Sequence, residues 1–189
     1  WIGKMMNYSV SKDGRMGVFA AITLLSFVIA MYLCDVINSL ITLTSLSNVL
    51  VQLIGFGSID SLIISLLYRP LLYLSRVPYI GGEYEGCLCS SFDESRQIDV
   101  SVSIVQRFFK MDITLTTEHS CSENTATHID NQNSLVKLQY MYRNEPKHYG
   151  NLNLHDGSCE LTFSDSEVFG KYYTDPKRNN HGIILLKKK

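Results

Sequence analysis

Hydrophobic and polar positions divide the chain into two regions with different periodicities. The N-terminal region contains a pair of long runs that are almost entirely apolar, "MGVFAAITLLSFVIAMYLC" from Met16 to Cys34 and "LSNVLVQLIGFGSIDSLIISLLYRPLLYL" from Leu46 to Leu74. Each reaches the ~20 residues that an α-helix needs to cross the hydrocarbon core of a bilayer. The pattern predicts two transmembrane helices, because a chain of 189 residues has too little other protein to bury both.

A secretory signal peptide is the alternative interpretation of the first run. The apolar stretch of a signal peptide is only ~7–15 residues long and leads into a small-residue cleavage site, whereas this run is followed by Asp35 and Asn38. The chain also begins at Trp1 rather than at methionine, so we expect some N-terminal sequence to be missing.

After Pro78 the hydrophobic pattern alternates. In "IDVSVSIVQRF", Ile98, Val100 and Val102 share one face and the polar residues between them share the other, which predicts a half-buried strand. Eight further segments predict strands: "GEYEGCLCS", "MDITLTT", "THID", "VKLQYMY", "GNLNLH", "CELTF", "VFGKYYT" and "GIILL". The predicted fold class is membrane-anchored all-β, with two transmembrane helices followed by a small antiparallel β-barrel of about eight strands.

Positive charge predicts how this arrangement is oriented. Lysines and arginines flank both apolar runs at positions 4, 12, 15, 69 and 76, and the connector over residues 35–48 has none. By the positive-inside bias, both termini lie in the cytoplasm and the connector is a tight hairpin on the other side. The predicted organisation is an N-terminal cytoplasmic segment over residues 1–15, a transmembrane hairpin over 16–76 and a cytoplasmic ligand-binding barrel over 77–189.

Two polar residues interrupt the second apolar run. Gln52 and Asp60 are eight residues apart, near the same helical face. Because a carboxylate costs ~2.5 kcal/mol or more in lipid, we expect Asp60 to face another helix or water. Gly55 and Gly57 allow a neighbouring helix to approach, so association of the helices is one interpretation. A bond from Asp60 to a serine or threonine of the first helix is the other.

The cysteines and histidines predict neither a disulfide framework nor a catalytic or metal site. The cysteine count, 5, is odd, which favours a reducing compartment. Cys87 and Cys89 lack the two-residue spacer of zinc ligands and a second pair. The "HDG" from His155 to Gly157 is interpreted as a hairpin turn between two short strands. We therefore expect no enzyme activity, no metal and no cofactor.

The order of motifs resembles a known family. Two N-terminal apolar runs precede "YIGGEYEG", "SIVQRF", "ITLTTEHSCSE", "LQYMYRNEP", "LHDGSCEL" and "VFGKYYTDPKRNNHGIILL". In that order they are similar to the two-transmembrane β-barrel effectors of bacterial cyclic-oligonucleotide-based antiphage signalling (CBASS), which are associated with nucleotidyltransferases. The resemblance implies a barrel that binds a cyclic dinucleotide made by a partner nucleotidyltransferase. It also implies homo-oligomerisation and disruption of the bacterial inner membrane, leading to growth arrest or cell death, with no DNA or RNA polymer as partner.

A cyclic dinucleotide needs surfaces on which its two bases stack, donors for two phosphates, and hydroxyl or amide groups for the base edges. The residues of the barrel segment that we expect to supply these are Tyr84, Gln106, Arg107, Thr117, Ser122, Tyr140, Tyr142, Arg143, Tyr172 and Thr174. Arg143 is the preferred phosphate ligand, because a guanidinium grips a phosphate with two hydrogen bonds. Core packing of the tyrosines and a solvated Arg143 are the competing interpretations.

Two other functions fit the same sequence. A membrane-tethered carrier of lipocalin type requires an apolar barrel lumen. A constitutive structural or channel subunit would use the barrel only for assembly. Binding of cyclic dinucleotides by the barrel distinguishes the effector from both.

Overall fold

The computed structural model describes residues 7–40, 45–91, 93–132, 135–146, 154–165, 167–176 and 180–189. The chain forms two compact units. One consists of Asp13–Val77 and is helical, and the other is built from the residues before and after it and is a β-barrel. The predicted fold class, apolar helices followed by an antiparallel barrel, is confirmed.

The helical unit contains two long antiparallel helices, α1 (Arg15–Leu40) and α2 (Ser45–Leu74). Both are long and apolar enough to cross a membrane. The helices extend into the predicted connector at both of its ends and include residues 35–40 and 45–48 of it. Asp35 and Asn38 lie within α1, because isolated polar residues are tolerated in a helix that continues its hydrogen-bond ladder.

Small and polar side chains join the two helices. Ser26 Oγ donates to Asp60 Oδ1 over 3.4 Å. This is the interpretation in which Asp60 bonds to a serine of the first helix. Ala30 packs against Gly55, where a Cβ atom would lie 3.9 Å from that of the alanine. Gln52 is half-buried on α2. The pair therefore forms a hairpin in which the carboxylate already has a partner within the monomer.

The barrel is built from eight strands: β2 (Gly82–Ser90), β3 (Asp93–Gln106), β4 (Met111–Thr116), β5 (Ser120–Asp130), β6 (Val136–Pro146), β7 (His155–Phe163), β8 (Val168–Thr174) and β9 (His181–Lys188). Consecutive strands pair antiparallel, and β2 pairs with β9. Since β3 to β6 and β6 to β9 are also joined in order, the described strands close around the circumference of the barrel. A short parallel strand, β1 (Tyr8–Val10), adds to β5.

Alternation along the strands decides which side chains enter the barrel. Val100, Val102 and Ile104 of β3 point inwards and are almost completely buried. Matching residues from the other strands complete the core: Ile113, Ile129, Leu138, Leu161, Val168 and Leu186. Because the period of a strand is two, the same alternation sends the intervening polar residues to solvent.

One predicted turn is wrong, and one predicted strand lies largely outside the described residues. His155–Phe163 is a single strand, so the "HDG" is not a hairpin turn. Gly157 is instead paired between Tyr142 of β6 and Thr174 of β8. The predicted strand "GNLNLH" covers residues 150–155, of which only the last two are described.

A cavity at one end of the barrel

One end of the barrel interior is filled by side chains and closed by the chain that leads into β2. Gln106 Nε2 donates to the carbonyl oxygen of Pro78 over 3.0 Å, and its Oε1 accepts from the backbone of Ile80 over 2.8 Å. The hydroxyl of Tyr84 donates to the carbonyl oxygen of Ile80 over 2.7 Å. These bonds satisfy buried polar groups, so this end is a packed core.

The opposite end holds a cavity of about 640 Å³. Ligand pockets commonly have volumes of ~300–1,000 Å³. Its floor is formed by buried residues, among them Tyr140, Cys159 and Ile184, and its mouth by exposed ones such as Glu118 and His119. The full lining is Leu88, Ser90, Gln97, Ile98, Asp99, Leu115, Thr117, Glu118, His119, Ser120, Ser122, Tyr140, Tyr142, Asn144, His155, Cys159, Tyr172, Thr174, Asn180 and Ile184.

Three tyrosines give the cavity an aromatic wall. Tyr140 and Tyr142 follow each other on the inner face of β6, with ring centroids 6.3 Å apart and planes inclined by 56°. Tyr172 comes from β8. A glycine lies opposite two of the rings: Gly157 pairs with Tyr142, and Gly182 pairs with Tyr172. A Cβ atom at either glycine would clash with the ring beside it. Glycine is thus required at both positions for the tyrosines to lie along the wall.

Two asparagines present amide donors to the cavity. Asn144 Oδ1 accepts a hydrogen bond of 2.7 Å from Ser122 Oγ. Asn180 Oδ1 accepts from Ser90 Oγ over 3.0 Å and from Ser91 Oγ over 2.7 Å. Because the serines occupy the oxygens, the NH₂ groups of both side chains are the atoms available for a ligand. Such donors complement phosphate oxygens and the carbonyl groups of bases.

The charges of the lining are few and lie near the mouth. Among the described lining residues there is no lysine or arginine, and the carboxylates are those of Asp99 and Glu118, both exposed. Neutral hydroxyl and amide groups therefore dominate the interior. An anionic ligand would be held there by hydrogen bonds rather than by ion pairs with the described residues.

Cys159 and Tyr140 are a cross-strand pair at the floor. Burial raises the pKa of the Cys159 thiol to about 12, in spite of a hydrogen bond with Tyr140 that acts in the other direction. Burial, and then the neighbouring thiol, hold the pKa of Tyr140 well above its usual range. Both groups consequently stay protonated at neutral pH, and the floor of the cavity carries no charge.

We predict that the folded chain loses stability above pH 9 because of Cys159. Its pKa rises from 9.0 to about 12 on folding, so the unfolded chain releases the thiol proton first. The native state then binds more protons, and the free energy of unfolding falls by up to about 1.4 kcal/mol per pH unit. Urea unfolding of the detergent-solubilised chain at pH 8, 9 and 10 measures this slope.

The matched variants are Cys159→Ala and Cys121→Ala. Alanine at position 159 should remove most of the decline between pH 9 and 10, because Tyr140, with an unfolded-state pKa of 10.0, contributes less than Cys159 in this range. Alanine at position 121 should leave the decline unchanged, because Cys121 is only partly buried. Equal slopes in all three proteins would contradict the assignment to Cys159.

Several of the residues predicted from the sequence meet in the cavity. They are Thr117, Ser122, Tyr140, Tyr142, Tyr172 and Thr174. Tyr84 and Gln106 lie at the packed end, where their polar atoms hold residues 78–80. Their role as ligand contacts was inferred from the chemistry of the side chains, which does not give the level of a residue along the barrel axis.

The predicted cationic residues lie outside the cavity lining. Arg143 is on the outer face of β6, where its Nε lies 2.9 Å from Asp156 Oδ1 on β7. This ion pair raises the pKa of Arg143 and lowers that of Asp156. Arg107 is exposed in the turn between β3 and β4. The physical reason is the parity of the strand: Tyr142 and Asn144 point inwards, so Arg143 between them points outwards.

Several residues of the cavity lining were not predicted from the sequence. Asn144 could have been found, because it continues the inward alternation of Tyr140 and Tyr142 along β6. Asn180 could not, since it precedes β9 and is placed by backbone bonds with Thr174 of β8. His155, which we interpreted as belonging to a turn, lines the cavity beside Tyr142 with ring centroids 6.4 Å apart. Cys87 and Cys89 lie on the outer face of β2.

Comparison with known proteins bears on the barrel segment. Residues 75–188 match the family described as "Cap15, cyclic dinucleotide receptor domain". A curated relative from Staphylococcus schleiferi, "CD-NTase-associated protein 15", is 31% identical over 111 residues. That similarity covers 58% of this chain and 60% of the relative, so the chain spans somewhat more than half of the relative's length.

Proposed function

Because the chain belongs to the family of Cap15 cyclic dinucleotide receptor domains, we propose that its barrel cavity binds a cyclic dinucleotide and that the whole protein is an antiphage membrane effector. The observation that carries the proposal is the cavity itself. It combines an aromatic wall with amide donors and hydroxyl groups and is closed beneath by an apolar core. These are the features that a stacked, doubly phosphorylated ligand requires.

The aromatic wall supports stacking of the bases. The rings of Tyr140, Tyr142 and Tyr172 line the cavity at different levels. Base–aromatic stacking contributes ~1–3 kcal/mol per base. In both tyrosine–glycine pairs the glycine lacks a Cβ atom, which leaves room for the ring along the wall. The rings therefore do not fill the centre of the cavity. The wall thus leaves space for a ligand while offering it apolar faces.

The donors support recognition of the phosphates and base carbonyls. The donors are the NH₂ groups of Asn144 and Asn180, because serine hydroxyls occupy the side-chain oxygens of both. The hydroxyl groups of Ser122 and Thr174 donate their protons to these two asparagines and offer a ligand acceptors. A lipocalin-like carrier would instead need an apolar lumen, and a hydrocarbon chain could not accept hydrogen bonds from the NH₂ groups of the two asparagines. The balance of groups favours the nucleotide over a lipid.

The helices support the second half of the proposal. Large apolar side chains on α1 and α2 are exposed in the isolated chain, which suits contact with lipid. In the proposed sequence of events a partner nucleotidyltransferase makes the ligand, the barrels self-associate in the cytoplasm, and the clustered helices disrupt the bacterial inner membrane, with no catalytic step by this chain. Ligand binding can drive this only if the assembled state binds the ligand more tightly than the monomer does.

Calorimetric titration of the detergent-solubilised chain tests the proposal. The panel consists of cyclic dinucleotides with different bases and linkages, together with a long-chain fatty acid. We expect saturable, base-selective binding of one or a few cyclic dinucleotides and none of the fatty acid. Binding of the fatty acid alone would favour a carrier, and binding of neither ligand would favour a structural or channel subunit.

The polar contact between the helices provides a prediction about the membrane step. Replacing Asp60 by leucine removes the acceptor of the Ser26 bond, and an interhelical hydrogen bond is worth ~1 kcal/mol, or about fivefold in an equilibrium. We expect ligand-dependent dye release from liposomes to fall by about that factor or more, with unchanged nucleotide affinity. Ser58→Leu is the control, because Ser58 is an exposed polar residue of the same helix. Equal release from Asp60→Leu and wild-type protein would contradict a role for the polar contact.

A further inference from the structure

We propose that the barrel wall contains a second binding site, a strand-acceptor slot between β4 and β5, and that the N-terminal segment of residues 7–12 is its ligand. We also infer that this segment carries a change in the cavity to the start of α1. The second statement rests on the proposed function, and the first stands without it. The family match begins at residue 75, so neither follows from that similarity.

The slot exists because β4 and β5 separate. Their pairing ends at Thr114 and Glu123, next to the point where the register of β5 against β6 shifts between Asn124 and Ala126. The side chain of Asn124 bridges the separation. Its Nδ2 donates to the carbonyl oxygen of Met111 over 3.1 Å, and its Oδ1 accepts from the backbone of Ile113 over 2.8 Å. A bulge of this kind leaves backbone groups for another strand to pair with.

The N-terminal segment fills this separation and pairs with both sides. On one side β1 pairs parallel with residues 127–129 of β5, and the backbone of Ser11 donates to Ile129 over 2.9 Å. On the other side the backbone of Asn7 donates to Phe109 over 3.1 Å. The side chain of Asn7 also clasps the backbone of Met111, donating from Nδ2 over 2.9 Å and accepting at Oδ1 over 2.6 Å. Main-chain bonding of an extended segment is the mode of strand addition.

Alternate side chains of the segment supply its specificity. Tyr8 and Val10 are 3% and 8% exposed, whereas Ser9 between them is exposed. The hydroxyl of Tyr8 lies 3.0 Å from the carbonyl oxygen of Arg107 and 3.2 Å from that of Phe108. The slot therefore selects an extended peptide with asparagine, a tyrosine and a small apolar residue at successive anchoring positions.

The slot lies next to the cavity along the same two strands. Leu115 and Ser122 line the cavity and are paired with each other, adjacent to the last pair before β4 and β5 separate. Asn124 follows Ser122 by two residues, and its amide shares the carbonyl oxygen of Met111 with Asn7. A ligand that shifts Ser122 thus acts on the segment through one side chain and one carbonyl group. Because α1 begins at Arg15, the segment is covalently continuous with the first helix.

The test uses the full chain and the variants Asn7→Ala and Tyr8→Phe, with Lys12→Ala as the control in the same segment, because the Lys12 side chain is exposed. The first measurement is backbone amide exchange without ligand. We expect the amides of Asn7 and Ser11 to exchange about tenfold faster or more in the first two variants. The amides of β6 to β9 and the whole control variant should be unchanged. Unchanged amide exchange at Asn7 and Ser11 would overturn the proposal of a strand-acceptor slot.

The second measurement uses the cyclic dinucleotide that the titration panel identifies. It compares the variants with the wild-type chain in their affinity for this ligand and in ligand-dependent dye release from liposomes. We expect Asn7→Ala and Tyr8→Phe to keep the affinity within about threefold and to lose most ligand-dependent release. Dye release equal to that of the wild-type chain would overturn the transmitting role. A loss of affinity together with faster amide exchange throughout the barrel would overturn it as well. If the wild-type chain binds no cyclic dinucleotide, the proposed function and the transmitting role fail together, and amide exchange still decides the slot.

Discussion

Replacing Asn144 by leucine is expected to weaken cyclic dinucleotide binding by about 10- to 100-fold, whereas leucine at the adjacent Arg143 should change it by less than about threefold. Asn144 is 6% exposed in the cavity, and its NH₂ group is available to a ligand because Ser122 occupies its oxygen. A hydrogen bond to a charged group contributes ~1.5–3 kcal/mol, and ~1.4 kcal/mol corresponds to a factor of ten.

The two substitutions form a matched pair because they differ in the face of one strand. Arg143 lies outside the barrel in an ion pair with Asp156. Its charge is therefore separated from the cavity by the strand itself. A guanidinium is the expected phosphate ligand when sequence alone is considered, so the two affinities show directly whether residue type or strand parity decides the site.

Calorimetry of the detergent-solubilised chain measures both affinities, and circular dichroism checks that the variants are folded. Asn144→Asp is the second variant for the case in which leucine disturbs the barrel, since it keeps the shape and removes the donor. We expect it to bind at least as poorly as Asn144→Leu. A large loss for Arg143→Leu with none for Asn144→Asp would place the phosphates on the outer face.

Replacing Phe108 by alanine is expected to destabilise the chain by about 3–5 kcal/mol, the cost of truncating a fully buried phenylalanine. Phe108 is 1% exposed in the turn between β3 and β4 at the packed end. The turn is held by a bond of 2.7 Å from the backbone of Arg107 to the carbonyl oxygen of Lys110. Because this bond fixes the turn, a neighbouring side chain cannot move into the space left by the ring without breaking the turn.

The adjacent Phe109→Ala is the control for this prediction. Phe109 is only partly buried, and its ring meets that of Phe108 edge to face at 4.7 Å. We expect its removal to cost about 1–2 kcal/mol, the value for partial burial plus one aromatic contact. Urea unfolding followed by tyrosine fluorescence measures both. Equal destabilisation by the two substitutions would show that the turn, rather than burial, sets the stability of this end.

The sequence allowed the membrane-type helices and the barrel strands to be predicted, because both depend on local periodicity. The apolar runs of α1 and α2 reach the ~20 residues that predict a membrane-spanning helix. The alternation of β3, β6 and β9 identifies inward positions independently of their partners. Where a glycine was interpreted as marking a turn, at Gly157, the prediction failed because the glycine instead makes room for a ring.

The candidate site could be predicted only to a limited extent. Alternation identified Tyr140, Tyr142 and Tyr172 as inward residues, and the structure places them on one cavity wall. It could not distinguish them from Tyr84, which is equally inward but lies at the packed end. The level of a residue along the barrel axis depends on the stagger between strands, and stagger is set by pairing across the sheet.

What the sequence by itself determined is therefore the division of the chain into apolar helices and an alternating sheet, together with the inner face of most strands. The tertiary structure decided where the cavity lies, which polar groups face it, and that Tyr8–Val10 adds to β5. The physical reason is that periodicity is a property of a single segment. Closure of the barrel, its bulge at Asn124 and the amides of Asn144 and Asn180 depend on partners distant in sequence.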